Sequence, residues 1–141
     1  MKVEIKNNLR VAVYCRVAHK DDTAIKMQEE TLRRFAEENG YNNLSIYSDN
    51  GFHGLNFNRP AFIQMDNDIK AGLIDTVIVN DLSRISRNTF NTFDWLDKIQ
   101  SKRVSLKSVS GDFDYDSLKI MNVTIHKLFN DYKKKKKKII P

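Results

Sequence analysis

Two kinds of segment alternate along the chain. Val11 to Cys15 is a short, nearly continuous apolar run, which predicts a buried strand at the centre of a sheet. From Ala24 to Asn39 the apolar positions Ile25, Met27, Leu32, Phe35 and Ala36 fall at roughly helical spacing, with Gly40 as the stop. Leu44 to Tyr47 reads as a second strand. Asn50 to Arg59 is a loop, punctuated by Gly51, Gly54, Asn56 and Asn58 and expected to be mobile. Pro60 suits the first turn of a helix that runs to about Ala71 and ends at Gly72. Thr76 to Val79 is a third strand, Asn88 to Gln100 a helix carrying Phe90, Phe93, Trp95, Leu96 and Ile99, and Val104 to Val109 a fourth strand.

Strands alternating with helices of this length imply parallel strands joined by crossover helices. The expected fold is a three-layer α/β domain, with a central, mostly parallel sheet of four to five strands flanked by helices. The last segment differs. From Leu118, apolar residues recur at Met121, Ile125, Leu128 and Tyr132 in steps of three and four, widened by Ile120, Val123 and Phe129. So broad an apolar helix packs on its own sheet or on a second copy.

Composition narrows the class. At 141 residues the chain holds about one domain. A single cysteine, Cys15, excludes a disulfide framework and a cysteine-based zinc cluster, and fits a reduced, cytoplasmic setting. Nothing approaches the ~20 apolar residues of a membrane span, and MKVEIKNNLR lacks the apolar core of a signal peptide. Six of the 24 basic residues are Lys133 to Lys138, and the other 18 balance the 18 acidic residues. The net charge of +6 therefore reports a tail, which is either a solvated terminus or a contact for an anionic partner such as nucleic acid.

Most patterns that carry chemistry are missing. There is no phosphate-cradling glycine loop, which counts against a nucleotide- or effector-binding domain. His19, His53 and His126 lack metal-ligand spacing. The arginines are the exception. Arg16 follows the first strand, Arg59 ends the loop, and Arg84 and Arg87 follow the third strand in Asp81-Leu82-Ser83-Arg84-Ile85-Ser86-Arg87. Carboxyl ends of parallel strands share one edge, where ligands bind. Converging guanidinium groups there suit a phosphodiester, unless Asp21, Asp22, Asp49, Asp75 or Asp81 neutralises them.

Several segments together resemble the serine recombinases of the resolvase and invertase superfamily, closest to the large, transposon-type members. They are Val11-Ala-Val-Tyr-Cys-Arg-Val17, Gln28 with Leu32 to Tyr41, Tyr47 to Gly54 with Asn58 to Phe62, Ala71 to Val79, and Asp81 to Arg87. The similarity runs in unbroken order over residues 10 to 110. It implies metal- and cofactor-free cleavage of double-stranded DNA, in which a serine hydroxyl attacks the scissile phosphate and forms a 5′-phosphoserine link. It assigns Arg16, Arg59, Arg84 and Arg87 to the phosphate and Gln28, Asp49 and Asp75 to supporting polar positions. It further implies a homodimer that forms a tetramer in the recombination complex, and no membrane partner.

One position departs. The family reads Arg-Val-Ser where this chain reads Arg16-Val17-Ala18, and a methyl group cannot attack phosphorus. Of possible substitutes, Cys15 should lie inside the strand, His19 should point elsewhere, and Ser83 and Ser86 should sit on the far side of the motif. The expected organisation is a resolvase-like catalytic domain over residues 1–115, a dimerisation helix over 116–132 and a basic tail over 133–141, with no DNA-binding domain in this chain. The resulting expectation is a recombinase catalytic domain inactive for want of its nucleophile. The alternative is a DNA-binding or regulatory partner of an active recombinase.

Overall fold

The computed structural model describes residues 10–110, 124 and 127–135. Its sheet has four strands, β1 (Val11–Val17), β2 (Leu44–Asn50), β3 (Thr76–Val79) and β4 (Ser105–Ser108), in the order β2-β1-β3-β4. All three pairings are parallel, with Val11 opposite both Leu44 and Thr76. The near-continuous apolar run of β1 is explained by this interior place, since both of its faces are covered.

The two faces separate by the period of two along each strand. Val11, Val13 and Cys15 meet Ile25, Leu32 and Ala36 of α1 (Asp22–Glu38), together with Ile78 of β3. Ala12 and Tyr14 meet Phe62, Met65 and Ile69 of α2 (Pro60–Lys70) and Phe93, Leu96 and Ile99 of α3 (Thr89–Ser101), together with Val77 and Val79. One helix on one face and two on the other make the three-layer α/β architecture.

Local chemistry sets the helix ends. The Asp21 carboxylate accepts from the Ala24 amide at 3.0 Å and starts α1 two residues earlier than the apolar spacing suggests. Asn88 caps α3 in the same way through the Asn91 amide. The residue before α2, Arg59, makes no side-chain cap. The Asp49 carboxylate reaches across from β2 instead and accepts from the Ala61 and Phe62 amides at 2.8 and 3.0 Å.

Three expectations need correction. β1 continues through Arg16 to Val17 and β2 through Asp49 to Asn50, because each pairs with the other to its end (Arg16↔Asp49, Val17↔Asn50). Both polar residues therefore lie within strands and not beyond them. Met27 is exposed, because the inward stripe of α1 runs Ile25, Gln28, Leu32, Ala36. Residues 127–135 are helical and exposed, which takes helix past Tyr132 into Lys133 to Lys135. Of the expected seam, Leu128 and Tyr132 are exposed, while Leu118, Met121 and Ile125 lie outside the described residues.

Candidate active site

The carboxyl edge of the sheet gathers Arg16, Arg59 and Arg84 around one another's main chains. Arg16 alternates with Val17 along β1, so its side chain falls on the face of Tyr14, toward α2 and α3. It is only 1% exposed. Its Nε donates to the Arg84 carbonyl at 3.2 Å, Nη1 to the Phe52 carbonyl at 3.0 Å and Nη2 to the Ser83 carbonyl at 2.7 Å. The Arg16 backbone is held as firmly. Its amide donates to Gln28 Oε1 at 2.9 Å, and its carbonyl accepts from Gln28 Nε2 and from Arg84 Nη1 at 2.9 Å. The Gln28 amide thus acts as a further peptide group at the end of β1, beyond the last β1–β3 pair, Tyr14↔Val79.

Arg59 is equally buried. It donates to Tyr14 Oη at 2.7 Å, to the Arg84 carbonyl at 2.8 Å, to the Asn56 carbonyl at 3.1 Å and, in a short contact, to the Ile85 carbonyl. Its guanidinium lies 4.7 Å from the Phe62 ring centre and near the rings of Tyr14 and Phe57, so aromatic faces supply part of the missing solvation. Tyr14 Oη in turn donates to Asp49 Oδ2 at 2.7 Å. Tyr14, a residue the sequence reading treated only as core, therefore bridges Arg59 to the carboxylate that caps α2.

This electrostatic arrangement is strained in one direction. Burial, and then the positive charges of Arg59, Arg84 and Arg87, lower the Arg16 pKa from its ordinary value. Burial raises the Tyr14 hydroxyl well above the usual tyrosine range. The Cys15 thiol, buried on the opposite face, is pushed up to about 12 mainly by desolvation.

Arg84 and Arg87 are more open. Arg84 Nε lies 3.5 Å from the Asp81 carboxylate and has no hydrogen-bond partner among the described residues. Arg87 is exposed, while its backbone amide donates to the Gly54 carbonyl at 2.8 Å. Ala18 sits half-exposed on the bend directly after β1. Of the possible substitutes, Cys15 is wholly buried and Ser86 is buried, its hydroxyl donating to the Gly54 carbonyl and accepting from the Asn88 amide. Ser83 is exposed and bonded to the Asp81 carboxylate, and His19 is exposed.

The expectation that the arginines converge on a ligand at the carboxyl edge is corrected for Arg16, which is buried. Main-chain carbonyls from the loop and from the segment after β3 cover it, so its donors meet peptide oxygens. Asp75 is not part of this cluster. It precedes β3, at the amino edge of the sheet, where it accepts from the Arg10 amide at 3.0 Å. The rise of six residues from Arg10, beside Asp75, to Arg16 is about 20 Å. The loop is also better fastened than its composition suggests. Phe57 stacks on Phe62 at 4.7 Å, and the carbonyls of Phe52, Gly54 and Asn56 all accept hydrogen bonds from the site.

Comparison with known proteins decides what this arrangement belongs to. Residues 11–139 match the resolvase N-terminal domain. The chain belongs to the resolvase family of serine recombinases. Its fold superposes on the N-terminal catalytic domain of TP901-1 integrase with a TM-score of 0.72 at 27% identity, covering 91% of this chain and 98% of that one. A resolvase family site-specific recombinase from Streptococcus pneumoniae gives 0.69 at 26% identity, over 92% and 91% of the two chains. A putative DNA recombinase of Bacillus subtilis (strain 168) is 30% identical over 105 residues, which is 73% of this chain and 21% of that protein. A resolvase of Clostridium perfringens is 32% identical over 88 residues, 60% of this chain and 45% of that protein. The chain thus spans less than half the length of these curated relatives. Within this recombinase fold, Tyr14 and Gly54 are the members of the arginine cluster that the sequence reading passed over. Gly54 was visible as loop punctuation and as the end of the Tyr47 to Gly54 resemblance, with no role attached to it.

Proposed function

We propose that this recombinase catalytic domain holds a DNA phosphate at the carboxyl edge of β1 and β3 but does not cleave it. What carries the reading is the buried Arg16, locked to Arg84, with Ala18 two residues further on where the family resemblance requires serine. The arginines retain the means to bind and stabilise phosphate charge. The nucleophile that would open the phosphodiester and carry the 5′-phosphate is absent. Arg84 and Arg87, the more exposed pair, meet the phosphate, and Arg16 and Arg59 brace the segment that carries them. Gln28 and Asp49 support the two ends of that brace.

The partner is double-stranded DNA, in the cytoplasm, with the helix over 116–132 pairing two copies and the lysines beyond it adding sequence-independent affinity. A tetramer forms in the recombination complex. No metal or cofactor takes part. The second reading is a regulatory partner of an active recombinase, in which the exposed Leu128 and Tyr132 would meet the recombinase in place of a second copy of this chain. Equilibrium binding to a duplex at several salt concentrations tests phosphate contact. Arg84→Ala and Arg87→Ala should each weaken binding and reduce the salt slope by about one unit. An unchanged slope in both variants would remove the site from the DNA interface.

A further inference from the structure

Gly54 is the one buried residue between Gly51 and Asn58. Its backbone does not require glycine, because its φ is outside the left-handed region in which Gly40, Gly51 and Gly72 lie. Space requires it. A Cβ at residue 54 would stand 2.8 Å from Arg16 Nη2, 3.0 Å from Arg16 Cζ and 3.1 Å from Arg87 Cγ. The tip of an arginine normally yields to such a collision. Here it cannot swing away freely, since it is 1% exposed and bound to the carbonyls of Phe52, Ser83 and Arg84. The Gly54 carbonyl is a hub as well, accepting from the Arg87 amide at 2.8 Å and from Ser86 Oγ at 3.2 Å.

We propose that Gly54 is a positioning residue of the arginine site: its missing side chain is the slot that receives the Arg16 guanidinium, and its carbonyl fixes Arg87 beside it. The loop from Gly51 to Asn58 thereby sets the spacing of two arginines that come from different strand ends. The catalytic significance rests on the functional reading above, whereas the steric relationship does not.

A double-mutant cycle on the full chain separates the two. Gly54→Ala should shift the unfolding equilibrium toward the unfolded state by about tenfold, as overpacking does. In an Arg16→Ala background the same substitution should cost much less, because only the 3.1 Å approach to Arg87 Cγ remains and alanine also restricts the unfolded chain. An equal loss in both backgrounds would overturn the proposal. The second arm uses Ala18→Ser with a cleavable duplex. Adding Gly54→Ala should slow single-turnover adduct formation at saturating DNA by about tenfold or more, the sensitivity expected of misplaced catalytic groups, with affinity changed less than about twofold. An undiminished rate would leave Gly54 a stability residue only and would also overturn the proposal. Coupling in the cycle with no adduct from Ala18→Ser at all would contradict the functional reading and support the slot.

Discussion

Arg16 and Arg84 hold each other through their backbones: Arg16 Nε donates to the Arg84 carbonyl, and Arg84 Nη1 donates to the Arg16 carbonyl. Two like charges are thereby brought together on a partly desolvated edge, with peptide oxygens in place of carboxylates around Arg16. The only ion pair involving either among the described residues is the 3.5 Å contact of Arg84 with Asp81. Carbonyl dipoles screen the repulsion without cancelling the net charge. The edge therefore stays electropositive, as the proposed phosphate contact requires.

Removing the Arg16 side chain takes the guanidinium donors from the carbonyls of Phe52 and Ser83 and leaves the Arg84 carbonyl with Arg59 alone. Arg16→Ala is expected to destabilise the domain by about 2–4 kcal/mol, the range for losing a buried charged donor and its bonds. Urea unfolding monitored by circular dichroism measures it. A loss below about 0.5 kcal/mol, the level of a surface substitution, would show that these bonds do not hold the loop.

Asp49 serves Tyr14 and the start of α2 at once. Asp49→Ala should destabilise by about 2 kcal/mol, combining a lost helix cap with a buried Tyr14 hydroxyl that keeps the Arg59 donor but loses the acceptor of its proton. Amide hydrogen exchange should show the loss at Ala61 and Phe62 first. Protection of those amides at the original level would contradict the capping role.

Stability should fall in alkali. The Cys15 pKa rises from its ordinary value near 9 to about 12 in the folded chain, chiefly by burial. A group whose folded pKa is raised contributes stability that is complete below its unfolded pKa and is lost as pH climbs toward the folded one. The decline should therefore begin near pH 9, with Tyr14 and Tyr47, also raised by burial, adding to it above their ordinary value of about 10. Cys15→Ala should delay the onset. Urea midpoints collected from pH 7 to 11 test this, and a flat profile would contradict the burial of the thiol.

Much of this was legible beforehand, and the failures share a physical cause. The apolar runs of β1 and β3 and the stops at Gly40 and Gly72 mark the fold, because burial on both faces leaves no room for polar residues. Strand ends were misjudged at Arg16 and Asp49, where polar side chains occur inside paired backbone. Gln28 was recognisable by family resemblance. Its place on the inward stripe between Ile25 and Leu32 was the independent signal. Gly54 could not be read, since its role depends on a guanidinium arriving from 38 positions earlier in the chain. Asp75 failed for a simpler reason: a residue before a parallel strand lies on the edge opposite the residues that follow it.

Self-association through the C-terminal helix is open to direct test. Leu128→Glu combined with Tyr132→Glu places charges where both residues are exposed. Sedimentation velocity should show the unaltered chain as a dimer and the double variant as a monomer. A monomer in both cases would remove the helix from the interface.

Covalent trapping on DNA bears most directly on the missing nucleophile. The Ala18 chain and Ala18→Ser, each fused to the same unrelated sequence-specific DNA-binding domain, would be incubated with a duplex nicked to prevent religation and resolved on a denaturing gel. The Ala18 protein should give no protein–DNA adduct, and Ala18→Ser should give one linked through a 5′-phosphoserine at residue 18, identified by mass spectrometry of the linked peptide. An adduct formed by the Ala18 protein, through His19, Ser83 or Ser86, would contradict an arginine site left without its nucleophile.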